Sequence, residues 1–430
     1  MLKIYRLGTP ECAAFLEKLG KRASSPPAEV VKTVTDILED VRQNGDAALL
    51  AYTERFDKVK LTAETLEMTR GALEEQAAKV PLDLQNTIRR AAENIRKYHE
   101  KQLRQSFFDT SDTSKLTGMR ITPKQRAGVY VPGGSAAYPS SVLMNVIPAK
   151  VAGVKEIVMT TPLRGGEIPP AVAFAALTAG VDRVFLCGGA QAVAALAYGT
   201  ESVPRVDVIA GPGNIYVATA KRLVYGECDI DMIAGPSEVL AVADQSADPA
   251  FAAADLLSQA EHDVLASAVL VTNSAALAEQ TSAALSEQLA ALGRTEIAGK
   301  SIEEFGAAIV CDDMEACFAL ANRIAPEHLE ILTENPLADL SKVKNAGSIF
   351  VGAYSPEPLG DYFAGPNHVL PTNGTARFAS PLSVDTFIKK SGVICYTKDG
   401  LAAYKDDIIR FAESEGLGAH ANSVRIRFAD

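Results

Sequence analysis

The sequence has few of the residues that most often hold metals or mark secreted proteins. Only five of its 430 residues are histidine, and none of its six cysteines belongs to a C-x-x-C pair. Scattered cysteines indicate reduced thiols in a cytoplasmic protein and argue against a zinc site made of thiolates. The cysteines are Cys12, Cys187, Cys228, Cys311, Cys317 and Cys395.

Long apolar segments are also missing. The first residues, Met1 to Arg6, contain no apolar stretch of the kind that signal peptides need. No uncharged apolar run reaches the ~18 residues that suggest a membrane span. The net charge of −11 argues against nucleic acid or an anionic membrane as the main partner. An anionic cofactor would therefore depend on local backbone N–H groups.

Two familiar signatures are absent. There is no H-E-x-x-H motif of a zinc hydrolase. The usual dinucleotide fingerprint G-x-G-x-x-G also fails, because Gly211-Pro212-Gly213 is followed at the required position by Tyr216. Glycine at strand ends is common for purely steric reasons, so spacing alone leaves a nucleotide site open.

The chain that remains is typical of a soluble globular protein of two or three domains, with 47% apolar and 22% charged residues. The first part reads as helical: apolar residues from Val30 to Val41 follow helix spacing and stop at Asn44-Gly45. A longer helix carries His99 on its apolar stripe, which favours a core histidine.

From Ala127 onward, short apolar strands alternate with helices. We expect strands near 128–131, 157–160, 184–187 and 206–210, each followed by a glycine turn. This alternation predicts an α/β fold with a doubly wound parallel sheet. Ligands in such sheets bind at the carboxyl ends of strands, and Tyr130, Gln191 and Asn214 fall on or just after those turns.

A second alternating series begins at Ser237. It predicts strands at 239–243, 266–272 and 307–310. Between the first two lies a helix capped by Asp248, with Pro249 in its first turn, that ends at His262. Two consecutive series indicate two domains or one pseudo-duplicated core, although no sequence repeat is visible.

The second half of the sequence contains several clusters of polar residues. Gln259 and His262 share one helix face at i and i+3, although polar residues at a fraying helix end are the favoured interpretation of the pair taken alone. Glu327-His328 sets a carboxylate beside an imidazole, and Asp361 lies in a Gly/Pro-rich stretch that we expect to be a loop. His368 follows, and Glu415 and His420 stand near the end.

Together, some of these side chains form a set of nitrogen and oxygen ligands: Gln259, His262, Asp361 and His420. Such a set suits Zn²⁺, with Mn²⁺ or Co²⁺ as alternatives. One carboxylate without a thiolate favours a Lewis-acid role over a closed structural role. Glu327 and His328 are then available as base and acid.

The segment Ile230–Glu238, I-D-M-I-A-G-P-S-E, resembles the signature of histidinol dehydrogenases. Further matches to that family are G-G-A-Q-A at 188–192, G-P-G-N at 211–214, S-Q-A-E-H at 258–262, A-P-E-H-L-E at 325–330 and A-H at 419–420. The resemblance covers nearly the whole chain.

The resemblance implies oxidation of L-histidinol to L-histidine through L-histidinal, the last step of histidine biosynthesis, with two NAD⁺ and one Zn²⁺ per subunit. It implies zinc ligation by Gln259, His262, Asp361 and His420, and NAD contacts from Tyr130, Gln191 and Asn214. Glu327 and His328 would act as acid and base. Substrate would meet Ser237, Gln259, His262, His328, Asp361, Glu415 and His420.

The family's architecture implies two incomplete Rossmann-like domains in a homodimer with shared active sites. By that resemblance, we expect an extension at 1–25, a zinc and substrate domain at 26–106 with 237–382, and an NAD domain at 127–236. Residues 107–126 with 383–430 would form a C-terminal dimerisation segment.

Three rival interpretations remain at this point. A zinc hydrolase would use metal and glutamate without the glycine turns. A thiol-dependent aldehyde dehydrogenase would need a nucleophilic cysteine, for which Cys187 is the one plausible residue, although its apolar neighbours favour burial. A non-catalytic scaffold would have no use for the histidine and acid clusters.

Overall fold

The computed structural model describes residues 1–22, 26–133, 138–163 and 165–429. The chain divides into two compact units, Met1–Gln102 with Lys124–Phe387 and Leu103–Pro123 with Ile388–Asp430. The first unit holds two six-stranded sheets, and the second holds one three-stranded sheet.

The described strands are β1 (Lys3–Arg6), β2 (Glu67–Met68), β3 (Phe107–Asp109), β4 (Lys115–Pro123), β5 (Arg126–Tyr130), β6 (Glu156–Thr160), β7 (Arg183–Phe185), β8 (Val208–Ala210), β9 (Asp229–Ile230), β10 (Glu238–Ala243), β11 (Ser267–Thr272), β12 (Gly306–Val310), β13 (His328–Leu332), β14 (Ser348–Val351) and β15 (Ile388–Tyr396). The described helices are α1 (Pro10–Lys21), α2 (Ala28–Asp57), α3 (Ala63–Leu66), α4 (Arg70–Ala77), α5 (Leu82–Glu100), α6 (Pro139–Ala152), α7 (Pro170–Ala179), α8 (Gly189–Tyr198), α9 (Ile215–Val224), α10 (Pro249–Ala260), α11 (Ala275–Ala291), α12 (Thr295–Phe305), α13 (Met314–Ile324), α14 (Pro336–Asp339), α15 (Glu357–Tyr362), α16 (Lys398–Ala402), α17 (Lys405–Ser414) and α18 (Gly418–Arg425).

The first sheet is entirely parallel, in the order β1-β12-β11-β10-β13-β14. Its central strands are buried along their whole length. Strands covered on both faces need continuous apolar runs, which is why the sequence predicted β10 and β11. Strand β13, which begins at His328 and contains Glu330, was not predicted. The predicted α/β fold with parallel sheets is confirmed.

The second sheet has the order β2-β7-β6-β5-β8-β9, with only β2 antiparallel to its neighbour β7. Helix α2 packs on α8 and α9, so apolar residues of α2 join the core of this sheet. This packing differs from the expected grouping of 26–106 with 237–382. The segment 28–100 instead covers the sheet built from 126–230, because its apolar stripes face that core.

Several local expectations are confirmed. Helix α2 is broken at Gly45, whose φ of 52° and ψ of −130° interrupt the helical backbone. His99 is fully buried on α5, with its Nδ1 2.8 Å from the carbonyl oxygen of Ile95. No helix among the described residues is both long and apolar enough to cross a membrane.

In the second unit, β4 pairs antiparallel with both β15 and β3. Helices α17 and α18 pack on each other, and α16 packs on β15. The strands come from two distant parts of the sequence, so this unit forms only when both segments are present.

Candidate active site

The candidate catalytic pair lies at the amino ends of two neighbouring strands of the first sheet. His328 is the first residue of β13 and is aligned with Val239 on β10. Glu327 directly precedes β13. This is the edge opposite to the one at which open α/β sheets usually bind ligands, so the general rule would not have located it.

Glu327 is fixed by a reciprocal pair of hydrogen bonds with Glu238. The N–H of Glu238 donates to Oε2 of Glu327 at 2.9 Å, and the N–H of Glu327 donates to Oε2 of Glu238 at 3.2 Å. Both side chains are buried. Burial raises the pKa of Glu327 to about 8, although His328 opposes the shift.

The His328 ring is oriented by the backbone. Its Nδ1 lies 2.9 Å from the carbonyl oxygen of Glu238, and because a carbonyl only accepts, Nδ1 must carry the hydrogen. Its Nε2 has no hydrogen-bond partner among the described residues and lies 3.7 Å from Oδ1 of Asp361. Burial opposes the charged form, but the Glu327 and Asp361 carboxylates raise the pKa of His328 to about 10.

Beside this pair, three side chains bring ligand atoms together. One atom each of His262, Glu357 and Asp361 lies within 4.8 Å of the others. The group contains one imidazole and two carboxylates, which are ligands that Zn²⁺ and Mn²⁺ accept. It includes two of the four predicted ligands and adds Glu357.

Gln259 is the penultimate residue of α10 and stands three residues before His262. The helix ends at Ala260 rather than at His262, and the N–H of His262 donates to the carbonyl oxygen of Gln259 at 3.2 Å. The Gln259 side chain is 1% exposed, and its Oε1 has no hydrogen-bond partner among the described residues. A buried oxygen of this kind normally has a partner.

Asp361 lies in a helix, not in the loop that its glycine and proline neighbours predicted. It is the fifth residue of the six-residue helix α15, where Pro358 is tolerated because it falls in the first turn. The carbonyl oxygen of Asp361 lies 3.0 Å from Nδ1 of His368. Burial raises the pKa of the Asp361 carboxyl, but His328 and His368 outweigh it and bring the pKa to about 2.

Glu357 is the residue that the sequence reasoning missed. It begins α15, is 1% exposed, and accepts a hydrogen bond from the Ser258 hydroxyl at 3.0 Å through Oε2. Its Oε1 has no hydrogen-bond partner among the described residues. The signal was the spacing: Glu357 and Asp361 stand at i and i+4, which places them on one helix face.

Two further buried carboxyls lie behind Glu357. The N–H of Glu357 donates to Oε1 of Glu330 at 3.0 Å, Oε2 of Glu330 has no hydrogen-bond partner among the described residues, and the nearby Asp255 carboxyl disfavours the charged form of Glu330. Burial raises the pKa of both, to about 6 for Asp255.

The predicted NAD residues stand at the carboxyl ends of strands in the second sheet. The Tyr130 hydroxyl, at the end of β5, accepts a hydrogen bond from the N–H of Gly189 at 3.1 Å. Gln191, in the first turn of α8, is 1% exposed, and neither amide atom of its side chain has a partner in the described structure.

Asn214 caps helix α9: its Oδ1 accepts from the N–H groups of Tyr216 and Val217 at 3.0 and 3.2 Å. The turn before it is held by a buried ion pair between Lys221 and Asp231. Lys221 Nζ donates to the carbonyl oxygen of Gly211 at 2.8 Å, and the N–H of Gly211 donates to Oδ2 of Asp231 at 2.8 Å.

Gly211 itself has a φ of 120°, and a Cβ on it would meet the Tyr130 carbonyl oxygen at 2.1 Å. The turn therefore requires glycine at this position, since no other residue fits both the space and the backbone conformation.

The three remaining predicted residues are Ser237, Glu415 and His420. Ser237 is partly buried, and its carbonyl oxygen accepts from the N–H of Ser267 at 3.0 Å. Glu415 and His420 belong to the second unit, where both are exposed and line a cavity of about 530 Å³ with Tyr404 and Phe411. Of the predicted catalytic and ligand residues, the structure brings together His262, Asp361, Glu327 and His328 within the first unit.

Cys187 is fully buried, as its apolar neighbours predicted. Burial, together with the nearby Asp57 carboxylate, raises the pKa of the Cys187 thiol far above its ordinary value. A thiol nucleophile must ionise, so this residue is unsuited to the role that a thiol-dependent aldehyde dehydrogenase requires.

The sequence and the fold both match one family of known proteins. The sequence model of histidinol dehydrogenase matches residues 20–428. Histidinol dehydrogenase of Clostridium acetobutylicum is 49% identical over 429 residues, covering 100% of this chain and 99% of that protein. The Syntrophotalea carbinolica protein of the same name is 52% identical over 430 residues, 100% of each. The crystal structure of histidinol dehydrogenase from Elizabethkingia anophelis is 38% identical, with a TM-score of 0.92, and covers 99% of this chain and 98% of that chain.

Proposed function

Because the chain belongs to the histidinol dehydrogenase family, we propose that it oxidises L-histidinol to L-histidine in two successive NAD⁺-dependent steps. The observation that carries the proposal is the ligand cluster of His262, Glu357 and Asp361 beside the Glu327–His328 pair. In this proposal the intermediate L-histidinal stays bound, which protects a reactive aldehyde from solvent.

The residues of this cluster fit a divalent cation. The Gln259 Oε1 and the Glu357 Oε1 are both buried without a hydrogen-bond partner among the described residues, and both are oxygen atoms of the kind that coordinate divalent cations. We propose that Gln259, His262 and Asp361 hold Zn²⁺ with His420, and that Glu357 contributes to the same set. The chemistry that Zn²⁺ supplies in such a site is polarisation of an oxygen atom.

The second sheet fits NAD⁺ in a comparable way. We propose that Tyr130, Gln191 and Asn214 contact it, and the unpartnered Gln191 amide is the support for this assignment. Backbone N–H groups at the glycine turns suit an anionic cofactor on a chain with net charge −11. NAD⁺ supplies the hydride acceptor in both steps.

In the first step, His328 takes the proton of the substrate hydroxyl. A divalent cation held by Asp361 would offset one of the carboxylates that raise the pKa of His328, and so favour the neutral ring. Because Nδ1–H is committed to the carbonyl oxygen of Glu238, the neutral ring presents the lone pair of Nε2. That Nε2 has no hydrogen-bond partner in the described structure and faces the ligand cluster through Asp361. A substrate hydroxyl held at the cluster would therefore lie within reach of the base.

In the second step, the aldehyde must be hydrated before it can lose a second hydride. Glu327 is the group that can activate the water, because its carboxylate is held in place by the N–H of Glu238. Oε2 of Glu327 lies 3.7 Å from Nδ1 of His328, beyond hydrogen-bond distance. The two groups therefore occupy separate positions and can serve different steps.

We further propose that the protein is a cytoplasmic homodimer in which Glu415 and His420 complete the partner's site and, with Ser237, contact substrate. Support comes from the position of both residues in the second unit, exposed and lining one cavity. The six free cysteines support a reducing compartment.

The proposal is tested by following NADH in single turnovers from L-histidinol and, separately, from L-histidinal. We expect two NADH per histidinol in the unmodified enzyme. His328→Asn should slow the alcohol step and Glu327→Gln the aldehyde step, each by roughly 10²–10⁴-fold. A zinc hydrolase would form no NADH, and equal slowing of both substrates in both variants would remove the division of labour.

A further inference from the structure

We propose that Arg22 is a positioning residue for Glu327 and acts through Glu238. The inference rests on the proposed role of Glu327 as the base for hydration. Arg22 stands at the end of α1, more than two hundred residues before either glutamate, and nothing in its local sequence marks it for the site.

The contacts form a chain from α1 to the catalytic pair. The Arg22 side chain is 1% exposed and forms an ion pair with Oε1 of Glu238. The other oxygen of Glu238, Oε2, accepts the N–H of Glu327, while the Glu327 carboxylate accepts the N–H of Glu238. Arg22 thus pairs with the Glu238 oxygen that takes no part in the hydrogen bonds with Glu327.

A second contact holds the Arg22 side chain in place. Its Nη1 donates to the carbonyl oxygen of Leu265 at 3.1 Å, in the turn that follows His262. Its guanidinium carbon lies 5.6 Å from the centre of the Phe305 ring, which limits the freedom of the side chain. The guanidinium is therefore fixed by the Leu265 carbonyl as well as by Glu238, without contacting the side chains of the ligand cluster.

Charge explains why the contact matters for function. The charged or titratable groups that act on Glu327 are Glu238, His328, Asp361 and Arg22. Glu238 and Glu327 are two buried carboxyls in contact with each other's backbone, and Arg22 is the permanent cation beside them. Without it, Glu238 would either take up a proton or repel Glu327, and ionisation of Glu327 would become harder.

The experiment compares Arg22→Met, the double variant Arg22→Met/Glu238→Gln and the control Lys18→Met. Lys18 is on the same helix, lies over the same Phe305 ring and forms an exposed ion pair with Glu304. The double variant removes both buried charges but keeps an oxygen that can accept the N–H of Glu327.

We expect Arg22→Met to slow oxidation of L-histidinal by up to about a hundredfold, with KM for histidinol and zinc content unchanged. Its rate should begin to rise at a higher pH, because losing a nearby cation raises the pKa of the base. The double variant should recover to within about threefold of the unmodified enzyme, and Lys18→Met should match it.

Each outcome has a defined consequence. An unmodified enzyme that forms no NADH from histidinol would refute the proposed function, whatever the variants do. If the unmodified enzyme is active, a folded Arg22→Met variant with an unshifted pH profile refutes the positioning role. If Arg22→Met does not fold, the double variant decides: recovery of fold and rate supports the route through Glu238, and a folded but slow double variant overturns it.

Discussion

Replacing Glu357 by glutamine should weaken Zn²⁺ binding by at least tenfold. The substitution keeps the shape of the side chain and the contact with the Ser258 hydroxyl, but it removes one negative charge from the cluster. Unit charges about 4 Å apart interact by about 1 kcal/mol in water and about 4 kcal/mol at an effective dielectric constant of 20. A divalent ion doubles these values, and about 1.4 kcal/mol corresponds to tenfold in affinity.

The matched control is Glu261→Gln. Glu261 is next to His262 in the chain and carries the same charge, but it contributes no atom to the cluster of His262, Glu357 and Asp361. Its substitution should change the affinity by less than about threefold, because a partly exposed charge outside the ligand set is screened by solvent. Affinity is measured on metal-free protein by competition with a chromophoric chelator.

Two results would refute this reasoning. One is a Glu357→Gln variant that competes for Zn²⁺ as well as the unmodified protein does. The other is an equal loss in both variants, which would mean that the cluster attracts the ion by its general field and that Glu357 has no special place in it.

Three further outcomes are expected. Cys187→Ala should retain most of its turnover in a steady-state assay, because a buried thiol with a raised pKa has no part in the proposed steps; a loss of several orders of magnitude with the fold intact would restore the thiol route. Lys221→Met should lower the free energy of unfolding in urea by about 3–5 kcal/mol, because it leaves the Asp231 carboxylate buried without its cation; an unchanged midpoint would contradict this. Mixed Gln259→Ala and His420→Asn subunits should regain activity if sites are shared between chains; no recovery after verified exchange would mean that each chain builds its own site.

The sequence predicted strands β5 to β8 and β10 to β12, because parallel strands buried on both faces must be continuous apolar runs. It did not predict the edge strands, the three-stranded sheet, or β13, whose run is interrupted by Glu330. Such runs as Val239 to Ala243 are unambiguous, and the cap at Asp248 fixed the start of the next helix. The position of Tyr130 and Asn214 at strand ends followed directly from the same pattern. The missing G-x-G-x-x-G did not affect that placement, since it depends on the strands and not on the motif.

The candidate site was harder to predict because its geometry is not local. Pro358 and Gly360 suggested a loop around Asp361, so the helix face shared with Glu357 was overlooked. Arg22 and Glu238 meet only after the chain between them has formed the whole second sheet, from β2 to β9. Contacts of this kind leave no periodicity or spacing in the sequence, whereas the family resemblance supplies residues without the packing that holds them.

The position of strand β1 affects the order in which a newly synthesised chain can fold. Lys3 is aligned with Ala307 of β12, so the first strand to be synthesised waits for its neighbour until most of the chain has emerged. Until then the backbone N–H and C=O groups of β1 are unpaired, and strands of other chains could pair with them. The same segment leads through α1 to Arg22, whose buried partner Glu238 also appears late. In a nascent chain, the pairing of β1 with β12 and the Arg22–Glu238 contact that positions Glu327 would therefore both form late in folding.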